Sequence, residues 1–164
     1  MTNRLSYNLK IVTEQGLARL RNKSGKYFER LGEQKVLELA NFSLEKVPAY
    51  LQCVKASGQS MQKIEDLSEF KKLPVISKED YLKKYDYISL FPGRDLSGAS
   101  TVAATSGSTG EPFYLPRGEE QDRQYEYIAE VFLKNQFEVD KKKTLGIIGF
   151  GLGIWIGGIF TYKI

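Results

Sequence analysis

One short stretch, Ala104-Thr105-Ser106-Gly107-Ser108-Thr109-Gly110-Glu111-Pro112, limits what this chain can fold into more than any other. β-compatible runs flank it, Ser100 to Ala104 before and Phe113-Tyr114-Leu115 after, so it reads as a loop joining two strands in a hairpin. Gly107 and Gly110 admit positive φ and close backbone approach, which lets successive N–H groups point into one concavity, and Ser106, Ser108 and Thr109 add hydroxyl donors. A polyphosphate suits such a concavity. No lysine follows the second glycine, so the GxxxxGKS/T pattern of the P-loop is absent. A plain Gly/Ser turn has the same composition, and the order of the residues has to separate the two readings.

The clearest helix comes next. Tyr125, Ile128, Ala129, Phe132 and Leu133 fall at i, i+3, i+4, i+7 and i+8, with Glu119, Glu120 and Asp122 in the first turns and Lys134 near the last, as the helix dipole favours. A surface helix laid on a sheet is expected. Thr144-Leu145-Gly146-Ile147-Ile148-Gly149 then reads as a buried strand with apolar residues on both faces, as parallel strands require. Strand, amphipathic helix and buried strand in succession make a βαβ pattern and place the fold in the α/β class.

Upstream, residues 1–32 carry scattered charge with weak periodicity and are expected to form a peripheral helical segment, with residues 33–164 as the main body. Leu37, Ala40, Leu44, Val47 and Leu51 follow one helical face, and Pro48 begins a second short helix ending near Gly58. Aromatics on this face, Phe42 and Tyr50, read as core. A short helical turn is expected over Ile64–Phe70. Ser77 is a good N-cap with Asp80 three residues on, which predicts a helix through Lys84, and Phe91-Pro92-Gly93-Arg94-Asp95 is a turn cluster.

Composition narrows the function classes. A chain of 164 residues with 12% aromatics is long enough to bury a core. Its 24 Lys and Arg against 20 Asp and Glu leave a net charge of +4, with both signs interspersed; a nucleic-acid binder would gather its basic residues on one face. Lys141-Lys142-Lys143 is the one basic run and reads as a solvated turn. The chain has no histidine and one cysteine, Cys53, so neither a His-based triad, nor an internal disulfide, nor a Cys-rich zinc site is available. A reducing cytoplasm is the default location, and the polar N-terminus shows no secretory signal.

The order TSGSTGEP resembles the phosphate-loop motif of the adenylate-forming superfamily, the AMP-forming acyl- and aryl-CoA ligases and their relatives. Val47-Pro48-Ala49-Tyr50, Leu73-Pro74-Val75-Ile76-Ser77-Lys78-Glu79-Asp80, the loop, and then Gly149-Phe150-Gly151-Leu152 with Gly157-Gly158 resemble successive landmarks of the phenylacetate–CoA ligase-like branch. The resemblance spans roughly residues 36–160. Glu111 stands where many relatives carry lysine, and Phe113 where the wider superfamily often has a second one, which alters the charge balance around the phosphates.

The resemblance implies N-terminal helices followed by part of the mixed or parallel sheet-and-helix core of the large domain of an adenylate-forming enzyme. It implies a two-step reaction with ATP and Mg2+: a small-molecule carboxylate attacks the α-phosphate to give an acyl-adenylate, and coenzyme A or another thiol takes the acyl group. Ser106, Gly107, Ser108, Thr109 and Gly110 are implied to hold the β- and γ-phosphates, and Phe150 and Trp155 to wall the acyl or aryl pocket. The superfamily's later motifs, for adenine and magnesium, for ribose, and its C-terminal lysine, have no counterpart in these residues. The chain is therefore expected to be the N-terminal part of a longer enzyme, inactive alone.

Two other readings stay open. Thr144 to Tyr162 carries no charge over 19 residues, near the ~20 that span a bilayer, but its six glycines disfavour a helix, so a membrane anchor competes with a strand, a glycine turn and a helix start. The other is a non-catalytic nucleotide- or anion-binding module. Gly149-Phe150-Gly151 lacks the third glycine of a dinucleotide fingerprint, with Ile154 in its place.

Overall fold

A computed structural model describes residues 21–60, 63–105 and 111–149, together with Ala18, Gly151, Gly158 and Thr161. They fall into two compact units, one of Lys23–Ser97 and one holding the described residues from Gly98 onward. The secondary structure is mixed, helices with one two-stranded antiparallel sheet.

The first unit opens with α1 (Gly25–Lys46), where the Ser24 side chain caps the helix by accepting the Tyr27 N–H at 3.3 Å. The helix starts eight residues before the apolar spacing would place it, because residues 25–30 are all exposed and carry no stripe for periodicity to detect. Pro48 ends it. The ring disfavours helical backbone at the preceding residue, and Val47 accordingly sits at φ −105° and ψ 102°, while Pro48 takes the first position of α2 (Pro48–Ala56), where its missing N–H costs nothing.

The expected face is the buried one. Ala40, Leu44, Val54 and Ile64 form a core cluster, flanked by Leu37, Tyr50, Leu51, Phe70 and Leu73. Val54 and Ile64 are sealed completely enough to contribute about 1.5–3 kcal/mol each by the hydrophobic effect. Ile64 lies on an irregular connection with no ladder of its own, and the Asn41 side chain serves instead. Its Oδ1 accepts the Ile64 N–H at 2.8 Å, and its Nδ2 donates to the Ile64 carbonyl at 2.8 Å and the Leu37 carbonyl at 2.9 Å. An amide side chain thus completes the backbone hydrogen bonding of a buried residue, as backbone polar groups out of water require.

The turn expected before Phe70 is α3 (Leu67–Phe70), capped by Asp66, whose Oδ1 accepts from the Ser68 and Glu69 amides at 2.8 and 2.9 Å. Ser77 caps as predicted, accepting the Asp80 N–H at 3.0 Å and donating to Asp80 Oδ2 at 2.7 Å. The element it caps is shorter than the predicted helix: a single π-helical turn, Lys78–Leu82, closed by the Lys83 N–H on the Lys78 carbonyl. Next come 3₁₀ turns at Tyr87–Leu90 and Pro92–Arg94, the second made possible by positive φ at Gly93. The π turn presents Tyr81 inward, where its ring meets Tyr50 at 6.3 Å and Tyr85 at 5.5 Å between centroids.

In the second unit β1 (Ala99–Ala104) pairs antiparallel with β2 (Tyr114–Gly118), and α4 (Glu119–Phe137) packs against both strands. The hairpin and the helix are where the sequence predicts them. The third element is not: residues 143–149 adopt no regular structure, and Leu145 and Ile147 are 85% and 83% exposed. The βαβ reading is corrected to a hairpin followed by a helix. An uncharged run specifies a preference for burial without specifying a partner, and β1 and β2, close in sequence, satisfy each other at little loop-closure cost. Ile128 and Phe132 on the apolar stripe of α4 are also 62% and 55% exposed, so the stripe is only partly covered. Among the described residues no helix is long and apolar enough to cross a membrane; residues 150, 152–157, 159–160 and 162 of the uncharged stretch lie outside them.

Two outcomes test this account of the first unit. Asn41→Ala leaves the Ile64 N–H and carbonyl without their side-chain partner, and chemical denaturation is expected to show a loss of about 2–4 kcal/mol, beyond what one exposed hydrogen bond gives. Burial, helped by nearby Cys53, Tyr50 and Tyr85, pushes the Tyr81 hydroxyl up to about 12. The folded state therefore holds this proton more tightly than the unfolded chain. The resulting stability is complete below pH ~10 and is lost as pH rises toward 12, and Tyr81→Phe should flatten that alkaline loss in a pH series of thermal melts.

Candidate functional site

The predicted phosphate-holding residues Ser106, Gly107, Ser108, Thr109 and Gly110 lie outside the described residues, as do Phe150 and Trp155. The frame on which the loop is mounted is described. Cross-strand register runs Thr101–Arg117, Val102–Pro116, Ala103–Leu115 and Ala104–Tyr114. One step further the strands stay joined: the Thr105 N–H donates to the Phe113 carbonyl at 3.0 Å, and the Phe113 N–H donates to Thr105 Oγ1 at 2.9 Å. Thr105 and Phe113 therefore form a closed rim from which residues 106–112 span. Ala103 and Ala104 just behind the rim are 2% and 1% exposed, while Val102 and Tyr114, on the same face as Ala104, remain about half exposed.

Opposite the loop the hairpin is anchored by a residue that helix periodicity placed only as a dipole charge. Asp122, 4% exposed, receives Thr101 Oγ1 of β1 on Oδ2 at 2.9 Å and Arg117 Nε of β2 on Oδ1 at 3.0 Å. A second bracket sits beside it, with the Gly118 N–H donating to Gln121 Oε1 at 3.2 Å and Arg117 Nη2 to the Gln121 carbonyl at 3.4 Å. Gly118, the N-cap, supplies no side chain, and a Cβ there would make a tight contact, 3.3 Å from the Gly98 carbonyl oxygen. The register slips by one between Ala99 and Thr101, making Ser100 the extra residue of a β-bulge at the same end.

The other feature of this unit is a cavity of about 700 Å3 between the apolar stripe of α4, including Tyr125, Ala129, Phe132 and Leu133, and Ile147 and Ile148 from the segment after it. The spacing of these residues predicts a stripe laid on a sheet. The cavity was not legible in the sequence, because it follows from a sheet of two strands that does not cover the full stripe. Lys141 and Glu138 pair at 3.1 Å beside this segment, so the basic run 141–143 is partly compensated, in keeping with a solvated turn. Among the described residues no group of three or more His, Cys, Asp and Glu side chains gathers to hold a metal ion.

Compared with known proteins, the chain matches no protein-family model and no curated sequence.

The rim bond is separable from the fold. Thr105→Val keeps shape and β-propensity but removes the acceptor for the Phe113 N–H, so the expected loss is about 1 kcal/mol, seen as a melting shift of a few degrees. An unchanged midpoint would show the rim to be held otherwise.

Proposed function

We propose that this chain contributes the phosphate-holding hairpin of an ATP-dependent carboxylate-activating enzyme, similar to the phenylacetate–CoA ligase-like branch of the adenylate-forming superfamily, acting in the cytoplasm. The observation that carries the reading is the closed Thr105–Phe113 rim, which mounts the hydroxyl- and glycine-rich sequence 106–110 on a hairpin between two paired strands. A loop fixed at both ends loses less entropy when its N–H groups and hydroxyls converge on a guest.

The chemistry follows from the residue types. Attack of a carboxylate on the α-phosphate is governed by positioning and charge stabilisation. Backbone N–H groups around Gly107 and Gly110 and the hydroxyls of Ser106, Ser108 and Thr109 hold the β- and γ-phosphates while the pyrophosphate leaves. ATP arrives with Mg2+, whose ligands, like those for adenine and ribose, have no counterpart among the motifs of this chain. The acceptor is coenzyme A or another thiol. The cavity along α4, apolar and about 700 Å3, has the size and character of a small-molecule pocket and is the place in this unit for an acyl or aryl group.

Equilibrium binding of MgATP to the chain tests the reading. Binding is expected, with Gly110→Val abolishing it and Thr109→Ala weakening it roughly ten- to a hundredfold, the effect of losing a hydrogen bond to a charged oxygen, about 1.5–3 kcal/mol. Carboxylate-dependent pyrophosphate release by these 164 residues alone is expected to stay at background. Binding of MgATP and of inorganic pyrophosphate with equal affinity would favour an anion-binding module; affinities untouched by both substitutions would remove the phosphate-loop reading.

A further inference from the structure

The Arg117–Asp122 pair stands apart from every other ion pair among the described residues. Its side chains are 21% and 6% exposed, whereas both partners of each remaining pair are at least 37% exposed. Exposed pairs contribute little, but a shielded carboxylate that loses its partners is costly to keep, so Asp122 strongly favours the one arrangement that satisfies it. That arrangement spans three elements, since the Asp122 side chain rises from the first turn of α4 and grips Thr101 on β1 and Arg117 on β2.

Strand geometry carries the constraint to the loop. Side chains alternate along a strand, and paired residues share a face, so Thr101 with Arg117, Ala103 with Leu115, and Thr105 with Phe113 form one column on the face that Asp122 holds. The column is about 13 Å long at ~3.3 Å per residue, with Asp122 at one end and the rim at the other. A two-stranded ladder is marginal alone in water. The bonds from Thr101 and Arg117 to one carboxylate add a side-chain tie between β1 and β2 beyond the backbone ladder.

We infer that Asp122 is a positioning residue for the loop: by holding Thr101 and Arg117 at one spacing it sets the separation of Thr105 and Phe113, from which the phosphate-holding residues span. The consequence for ligand binding rests on the proposed phosphate reading; the consequence for the rim does not. Asp122 acts through the strands and touches no nucleotide.

Backbone amide exchange on the full chain, with and without MgATP, tests this. In Asp122→Asn the Thr105 and Phe113 amides are expected to exchange at least tenfold faster and MgATP affinity to fall about tenfold, while amides in the middle of α4 and those of Ala40 and Val54 in the first unit keep their rates. Thr101→Val, which removes the Thr101 bond alone, shows the same pattern more weakly and decides the matter if Asp122→Asn does not fold. A uniform loss of protection across residues 99–137 means a purely structural role and overturns the inference, as do rim amides within twofold of the parent in both variants. If the parent binds no MgATP while the rim amides still respond to Asp122→Asn, the phosphate reading fails and the positioning role stands; if MgATP binds equally well to parent and variant, with rim exchange unchanged, the reverse holds.

Discussion

A hairpin of two strands is marginal alone in water, and in the second unit one buried carboxylate adds a tie between its strands. Asp122 lies where α4 leaves β2, and its two oxygens take one donor from each strand. Both donors help offset the cost of burying its charge, so the helix start and the strand register support each other. Gly118 adds a steric condition, because the approach of the Gly98 carbonyl makes the space for a side chain tight where the strand becomes a helix.

The first unit is organised by a different device with the same logic. Ile64 is nearly inaccessible to water, yet it belongs to no helix or strand, and burying its peptide groups would be costly without partners. Asn41 supplies them from one position on α1, using both ends of its amide as a strand neighbour would. The apolar cluster of Ala40, Leu44, Val54 and Ile64 supplies the driving force, and the amide selects which segment joins it. In both units a polar side chain ties together segments that pack around a small apolar core.

Local signals are legible where the physics is local. Pro48 ends one helix and begins another, Ser77 caps a turn, the spacing of Leu37, Ala40, Leu44 and Leu51 marks the face that packs, and the β-compatible runs around the glycine loop become β1 and β2. These features depend on steric limits at a few neighbouring residues or on the periodicity of one element. The errors lie where an outcome depends on a distant partner. Thr144–Ile148 has the composition of a buried strand, yet its conformation depends on whether a neighbouring strand is there to pair with it. The start of α1, residues 25–32, is helical as expected of that stretch, but periodicity does not join it to the packed face because an exposed helix has no stripe, and the π turn at Lys78–Leu82 differs from a longer helix by one hydrogen-bond register.

The amino-acid order alone determined the character of the loop, a glycine- and hydroxyl-rich run with donors and no cation, and its position between two strands, because φ freedom and donor chemistry belong to the residues themselves. It determined the helical face of the first unit for the same reason. Only the tertiary structure decided that Asp122, one of several acids in the first turns of a helix, is the one that turns inward and joins two strands, that Asn41 completes the backbone of Ile64, and that the stripe of α4 borders a cavity. Each of these depends on which groups meet after the chain has folded back on itself, and a carboxylate or an amide carries no mark in the sequence that tells a solvated one from one that must find its partners out of water.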